Sequence, residues 1–108
     1  PTLKNITTEN NGINISTTKG THAKAVFEGE ITAILKIPGL FNTVLVKHGD
    51  YFTVYSNLEE VFVSKGDVIK TGTELGVIHT NEEGKTEMHF EVWKGNEKQD
   101  PEAWLRRK

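Results

Sequence analysis

A single histidine and the glutamates beside it offer the clearest chemistry in this sequence. The run 87–92, EMHFEV, alternates polar and apolar residues, which predicts a half-buried β-strand. Alternate side chains on a strand point to the same face, so Glu87, His89 and Glu91 are expected together. Imidazole and carboxylate groups are zinc ligands, and two of them on one strand can reach one ion. The run is therefore a candidate for part of a metal site.

The rest of such a site is not evident from the residue types. A zinc site needs three or four protein donors, or three and an open position. The other histidines, His22, His48 and His79, have no ligand-like spacing, and the chain has no cysteine. The absence of cysteine excludes disulfides, thiolate catalysis and cysteine-rich zinc sites. From the residues alone, His89 is either a ligand or an ordinary half-buried polar residue.

The elements that would position His89 are predicted to be strands. Ten glycines, many in turn dipeptides, separate short runs rich in β-branched residues, which is typical of a β-sandwich or barrel. Asp100 is a plausible N-cap for one short helical turn, Pro101–Leu105. The predicted strands are Gly12–Ser16, Lys24–Phe27, Gly29–Ile37, Thr43–His48, Tyr51–Asn57, Thr73–His79 and Glu87–Lys94.

One hairpin can be predicted in register. Gly49 followed by Asp50 suits a two-residue loop of type II′. Strict alternation after that turn places Asn57 on the same face as Tyr55 and Leu58 on the opposite face. Both faces carry large apolar groups, which indicates a sheet covered on both sides or closed into a barrel. The predicted pairs are His48 with Tyr51, Val46 with Thr53 and Val44 with Tyr55.

Length and charge limit the possible functions. The chain has 108 residues, enough for one domain, and a formal net charge of −2. Such a balance gives no reason to expect a nucleic-acid partner. No apolar run approaches the roughly 20 residues of a membrane-spanning helix, and no signal peptide is present. Because the sequence opens on Pro1 without an initiator methionine, we expect residues 1–108 to be one domain of a longer protein.

A cofactor-carrier function has little support. The stretch 61–78, VFVSKGDVIKTGTELGVI, resembles the turn-rich sequences of biotinyl and lipoyl carriers. Those domains attach the cofactor to a lysine at the tip of a tight hairpin. Here Gly49 and Asp50 occupy the hairpin tip, and Lys70 lies in another turn. We therefore expect no bound cofactor of this kind.

Four ordered blocks, covering about residues 10–105, resemble the LytM/lysostaphin-type zinc peptidase domain, which cuts peptidoglycan cross-bridges. The resemblance implies an all-β, LytM-like barrel-sandwich of mostly antiparallel strands. The blocks in this sequence are NNGINISTTKGTHAKAVFEGEI at 10–31, VLVKHGDYFTVYSNL at 44–58, VSKGDVIKTGTELGVI at 63–78 and EMHFEVWKGNEKQDPEAWL at 87–105.

The resemblance fails at the catalytic positions. The family's three metal-binding residues fall on Asn10, Asn14 and His89, so only the last is retained. Its two catalytic histidines fall on Asn57 and Glu87. A neutral amide oxygen is a weak zinc donor. The pattern predicts a pseudoenzyme without a zinc cofactor, although Glu87 and His89 together leave a poor two-ligand site open.

As an inactive member of this family, the sequence resembles the murein hydrolase activators. These proteins bind and switch on N-acetylmuramoyl-L-alanine amidases at cell separation. The resemblance implies a bacterial periplasmic location, an upstream coiled coil, and membrane association only through upstream regions. A helical amidase segment is expected to occupy the former active-site groove, lined by Asn10, Asn14, Asn57, Glu87 and His89. The aromatic residues predicted to contact this partner are Tyr51, Tyr55 and Trp93.

Two other functions compete with amidase activation. One is a peptidoglycan-binding or structural envelope domain that activates nothing. The other is a residual zinc endopeptidase.

Overall fold

The computed structural model describes residues 6–9, 12–39 and 41–100. All of its regular elements are β-strands, joined by tight turns, and all strand pairs are antiparallel. The predicted all-β class is therefore confirmed, whereas the predicted helical turn Pro101–Leu105 lies outside the described residues. The strands are β1 Ile6–Glu9, β2 Gly12–Thr17, β3 His22–Lys24, β4 Gly29–Ile37, β5 Phe41–His48, β6 Tyr51–Val61, β7 Val68–Ile69, β8 Glu74–Ile78, β9 Thr86–Lys94 and β10 Glu97–Gln99.

The strands form one sheet in the order β1-β2-β9-β6-β5-β4-β7. Strand β10 pairs with the end of β9, and β8 bridges β3 and the second half of β6. The part of the chain that the structure describes contains no helix that could span a membrane. Strands β2, β9 and β6 lie side by side, which brings the sequence-predicted site residues onto neighbouring strands.

The β5–β6 hairpin forms in the predicted register. His48 pairs with Tyr51, Val46 with Thr53 and Val44 with Tyr55. Gly49 has a φ of 67°, which the first loop position of a type II′ turn requires and which glycine adopts without a Cβ penalty. Local turn chemistry therefore fixes this part of the sheet.

The predicted alternation is wrong beyond Ser56. Asn57 has a φ of 72°, in the left-handed region, and the strand is bulged there. The bulge turns Leu58 into the core, where it is fully buried, instead of onto the predicted opposite face. Strand β6 then continues to Val61 and pairs with β8, whereas its pairing with β9 ends at Ser56. The sheet bends at this point into a sandwich.

One other predicted strand differs from the structure, and three short strands were not predicted. The strand predicted at Lys24–Phe27 is His22–Lys24, because residues 26 and 27 form a bend. The short strands β1, β7 and β10 were not predicted from the sequence. Each has four residues or fewer and pairs along one partner strand, so tertiary pairing rather than local sequence defines them.

The core lies on one face of the central strands. Phe90 packs against Tyr55 with ring centroids 5.3 Å apart, and both side chains are fully buried. The other face of the same strands carries His89, because side chains alternate along β9. The remaining fully buried apolar residues of the core include Ile13, Ile31, Val44, Val46, Leu58, Leu75 and Val92.

A polar chain crosses the core beside the hairpin. His48 Nε2 lies 2.7 Å from Thr53 Oγ1, and the Thr53 and Tyr55 hydroxyls are 3.1 Å apart. The backbone N–H of Val26 donates to the Tyr55 hydroxyl, and His48 Nδ1 lies 2.6 Å from the Glu28 carbonyl. That carbonyl can only accept, so the Nδ1 atom carries the proton. The chain satisfies its buried polar groups with neutral His48.

The burial of His48 predicts acid sensitivity. Burial lowers the pKa of His48, and the hydrogen bond to the Glu28 carbonyl only partly opposes this. Since the unfolded chain then binds a proton more readily than the folded chain, stability should fall as pH drops through about 6.5. We expect the unfolding free energy, measured with urea, to decrease between pH 7.5 and pH 5.5.

His48→Gln should lower stability at pH 7.5 and flatten this pH dependence. Lys47→Gln, at an exposed neighbouring position, should retain the wild-type slope. An unchanged slope in His48→Gln would contradict the assignment.

Candidate functional site

The candidate site lies on the open face where β2, β9 and β6 run side by side. Asn14 is opposite His89 and Ser16 is opposite Glu87 in the β2–β9 pairing. On the other side of β9, His89 is opposite Ser56. Directly opposed residues of an antiparallel pair share a face and lie about 5 Å apart. The sheet thus brings Asn14, Glu87 and His89 together, as the sequence predicts, and we refer to Asn14, Asn57, Glu87, His89 and Glu91 as the polar site.

His89 is hydrogen-bonded at both ring nitrogens. Nδ1 lies 2.8 Å from Asn14 Oδ1, and Nε2 lies 2.9 Å from Glu91 Oε2. The His89 and Glu91 side chains are only 14% and 15% exposed. Both neighbouring atoms are acceptors, so this geometry suits the doubly protonated imidazolium, which donates from both nitrogens. His89 is therefore part of a hydrogen-bonded ion pair on the sheet surface.

Glu91 lies beside His89, as the alternation of the strand predicts, although it was not among the predicted groove residues. Burial alone would raise the pKa of Glu91. Hydrogen bonds from His89 and Trp93, together with the positive charges of His89 and Lys98, outweigh burial and hold its pKa below the usual value. The Trp93 Nε1–H donates to Glu91 Oε1 over 2.8 Å. The alternation of β9, which puts Glu87, His89, Glu91 and Trp93 on one face, was the available signal.

Asn57 and Glu87 meet through the backbone rather than through a catalytic arrangement. Asn57 Nδ2 donates to the Glu87 carbonyl over 2.6 Å, and the Asn57 carbonyl accepts from the His79 N–H over 2.9 Å. The Glu87 carboxylate accepts a 3.2 Å hydrogen bond from Ser16 Oγ. Asn57 therefore ties β6 to β9 and to the end of β8, while Glu87 remains a half-buried carboxylate at the rim.

The donor set of the polar site does not fit a zinc ion. Its one imidazole already uses both nitrogens, and the Asn14 amide oxygen beside it is a weak zinc donor. Across the described ranges, no three His, Asp or Glu side chains are placed to hold a metal ion. Asn10, the remaining predicted groove residue, lies outside the described residues.

The three predicted contact aromatics have different positions. Tyr55 is fully buried and its hydroxyl is bonded inside the core, so the prediction that it contacts a partner is wrong. Tyr51 packs against the core from the same face, which also removes it from the groove. Trp93 is half-buried on the open face and lines a shallow groove with Leu45, Phe52 and Val54. Only Trp93 lies where the prediction placed it.

Comparison with known proteins identifies the family of this fold. The model of Peptidase family M23 matches residues 8–101. The chain is 27% identical over 85 residues to the uncharacterized lipoprotein YgeR of Escherichia coli strain K12, covering 77% of this chain and 34% of YgeR. It is 24% identical over 98 residues to the murein hydrolase activator EnvC of the same strain, covering 89% of this chain and 23% of EnvC. The chain thus spans about a third of YgeR and less than a quarter of EnvC.

A solved structure gives the same result for the fold. A chain of the SpoIIQ–SpoIIIAH pore forming complex superposes with a TM-score of 0.74 at 29% identity. The match covers 92% of this chain and 70% of that one. The similarity therefore extends over nearly the whole sheet, including the strands that carry the polar site.

The geometry of Asn57 predicts an unusual order of mutant stabilities. Alanine at a φ of 72° is strained and also loses the bond to Glu87, so Asn57→Ala should cost about 2 kcal/mol. Asn57→Gly also loses the bond to Glu87, but glycine adopts the positive φ without strain. This substitution should therefore lower the unfolding free energy by only about 1 kcal/mol. Urea unfolding of both variants measures this difference.

Asn42 provides a matched control on β5. Its side chain also donates to a strand carbonyl, that of Leu58, over 2.9 Å, but its backbone has no positive φ. There, glycine should be no less damaging than alanine. The same order of alanine and glycine at both positions would show that strain at Asn57 is not the cause.

Proposed function

Because the chain belongs to peptidase family M23, we propose that it is a non-catalytic member that binds and activates an N-acetylmuramoyl-L-alanine amidase. The observation that carries the proposal is the state of His89, whose nitrogens are bonded to Asn14 and Glu91. The family ligand retained in the sequence is thereby committed to a protein hydrogen-bond network. The similarity to the murein hydrolase activator EnvC supports the activator function.

Among the described residues, the polar site has no groups suited to the chemistry of zinc peptidases. Such enzymes need a metal to acidify a water molecule and to polarise the scissile carbonyl, and donors to stabilise the oxyanion. At the family's catalytic positions, Asn57 donates to the Glu87 backbone carbonyl and Glu87 offers a carboxylate. A carboxylate repels a developing oxyanion. The arrangement therefore favours binding over hydrolysis.

Activation would operate through a change of conformational population in the amidase. An amidase held inactive by a segment that covers its own zinc exists in closed and open states. A domain that binds that segment in the open state shifts the equilibrium by its differential affinity for the two states. The groove on the open face needs no catalytic group for this function. The protein would be located in the bacterial cell envelope, where the substrate of the amidase lies.

The similarity to a chain of the SpoIIQ–SpoIIIAH complex supports the same class of function. In that neighbour, an M23-like fold is part of a protein assembly. A peptidoglycan-binding domain without activation is the alternative that the following assay separates from the proposal.

The first test of the proposed function concerns zinc binding and catalysis. We expect the purified chain, incubated with zinc and desalted, to retain no stoichiometric metal by elemental analysis and to leave purified sacculi intact. Mixed with an amidase from the source bacterium, it should increase the release of soluble muropeptides. Tight zinc binding with digestion by the chain alone would establish an enzyme. Binding to sacculi with no effect on any amidase would establish the alternative.

The second prediction concerns Glu87. Replacing it by lysine reverses a charge at the rim of the groove and should weaken amidase binding by about tenfold, or ~1.4 kcal/mol. Stability should change little because Glu87 is half-buried and its side chain accepts one 3.2 Å bond. Calorimetric titration with the amidase measures the affinity. Glu28→Lys, at an exposed position near the β5–β6 turn, is the matched control and should bind as wild type.

A further inference from the structure

An apolar surface lies beside the polar site on the same face of the sheet. Phe52 is opposite Trp93, and Leu45 is opposite Val54, in the registers of β6 with β9 and β5 with β6. On β4, Ala33 lies opposite Leu45. Leu35, two residues further along β4, points to the same face as Ala33. We call Leu35, Leu45, Phe52, Val54 and Trp93 the apolar band.

The apolar band is open to solvent. Leu35 is 43% exposed, and the other four side chains are half-buried. Leu45, Phe52, Val54 and Trp93 line a groove of about 250 Å³. Their neighbours on the other face fill the core, so the band is not needed to close it. A contiguous apolar surface of this kind indicates a site of interaction.

Acidic side chains lie near the Glu87 end of β9, at the opposite end of that strand from Trp93. The loop between β8 and β9 carries Glu82 and Glu83, which border a depression with Phe41 and His79. The ring of Phe41 is 43% exposed and stacks on His79 at 3.8 Å between centroids. Glu59 lies 3.4 Å from His79 Nδ1. The four carboxylates at this end, which we call the acidic end, are Glu59, Glu82, Glu83 and Glu87.

The polar site separates the two regions. Trp93 and Glu87 are six residues apart on β9, which corresponds to roughly 20 Å at about 3.3 Å per residue. Between them, His89 and Glu91 neutralise each other through their 2.9 Å ion pair. The face therefore presents apolar contact, an internally paired polar strip and negative charge, in that order along β9.

We propose that the amidase segment docks across this face with its apolar side chains on the apolar band and its basic residues on the acidic end. The inference rests on the proposed function and adds the orientation and chemistry of the partner. Apolar burial supplies the affinity, while the carboxylates of the acidic end select the direction of docking and speed association. The partner segment must carry its basic and apolar residues about 20 Å apart, or about 13 residues if it is a helix.

Two variants of the full 108-residue chain test the two ends separately. Leu35→Thr/Val54→Thr places a β-branched residue, which suits a strand, at each position while removing apolar surface, and should weaken amidase binding about tenfold. Val68→Thr is its control, since Val68 is 84% exposed on β7, away from the band. Circular dichroism and thermal melting establish that each variant folds. Affinity is measured by calorimetric titration with the purified amidase.

Glu82→Lys/Glu83→Lys tests the acidic end. It should weaken binding several-fold at low salt and reduce the dependence of affinity on ionic strength. Glu28→Lys/Asp50→Lys makes the same charge change at exposed positions near the β5–β6 turn and should leave the salt dependence unchanged. If both charge pairs have equal effects, net charge rather than the acidic end acts, and the orientation is overturned.

The outcomes distinguish this inference from the proposed function. If the unmodified chain binds no amidase, the proposed function fails and the docking inference fails with it. If the unmodified chain binds and activates, but the folded Leu35→Thr/Val54→Thr variant binds equally well, only the docking surface is wrong. If that variant loses pelleting with sacculi instead of amidase binding, the band binds peptidoglycan and the inference is overturned.

Discussion

The left-handed conformation of Asn57 determines how this sheet is divided. Before Asn57, β6 pairs with β5 on one side and β9 on the other, and beyond it β8 takes the place of β9. A strand can change partners in this way only if its side-chain alternation is interrupted, which the bulge accomplishes. The amide donates to the Glu87 carbonyl on β9, and the carbonyl of Asn57 accepts from His79 at the end of β8. One residue thus connects three strands.

The same constraint explains why an asparagine suits this position. Asparagine tolerates a positive φ better than most residues because its short polar side chain can bond to nearby backbone. The bond to the Glu87 carbonyl, over 2.6 Å, is such a contact with the backbone of the neighbouring strand. The position where the family resemblance places a catalytic histidine is therefore occupied here by a residue with a structural function. Leu58, turned inward by the bulge, completes the core.

Sequence reasoning succeeded where local chemistry decides the structure. The β5–β6 register follows from Gly49, and the pairing of His89 with the acidic residues of β9 follows from alternation. It failed where tertiary contacts decide. The face of the sheet on which Leu58 lies depends on the bulge, and no glycine in the sequence indicates that bulge. The positions of Tyr51 and Tyr55 could not be assigned because β6 carries large apolar side chains on both faces, and alternation does not say which face is the core.

The polar site shows how a sheet surface can hold ionisable groups that are paired with one another. An unpaired charge in a half-buried groove would be costly, whereas a paired and hydrogen-bonded one is not. His89 is balanced by Glu91, Glu91 also accepts from Trp93, and Asn14 bonds the remaining nitrogen. The indole of Trp93 is consequently fixed by the same network that neutralises His89, with Lys98 5.3 Å from its ring. The residues around His89 therefore position an aromatic side chain at the edge of the apolar band, and a rigid aromatic group in that place loses little conformational entropy when a partner covers it.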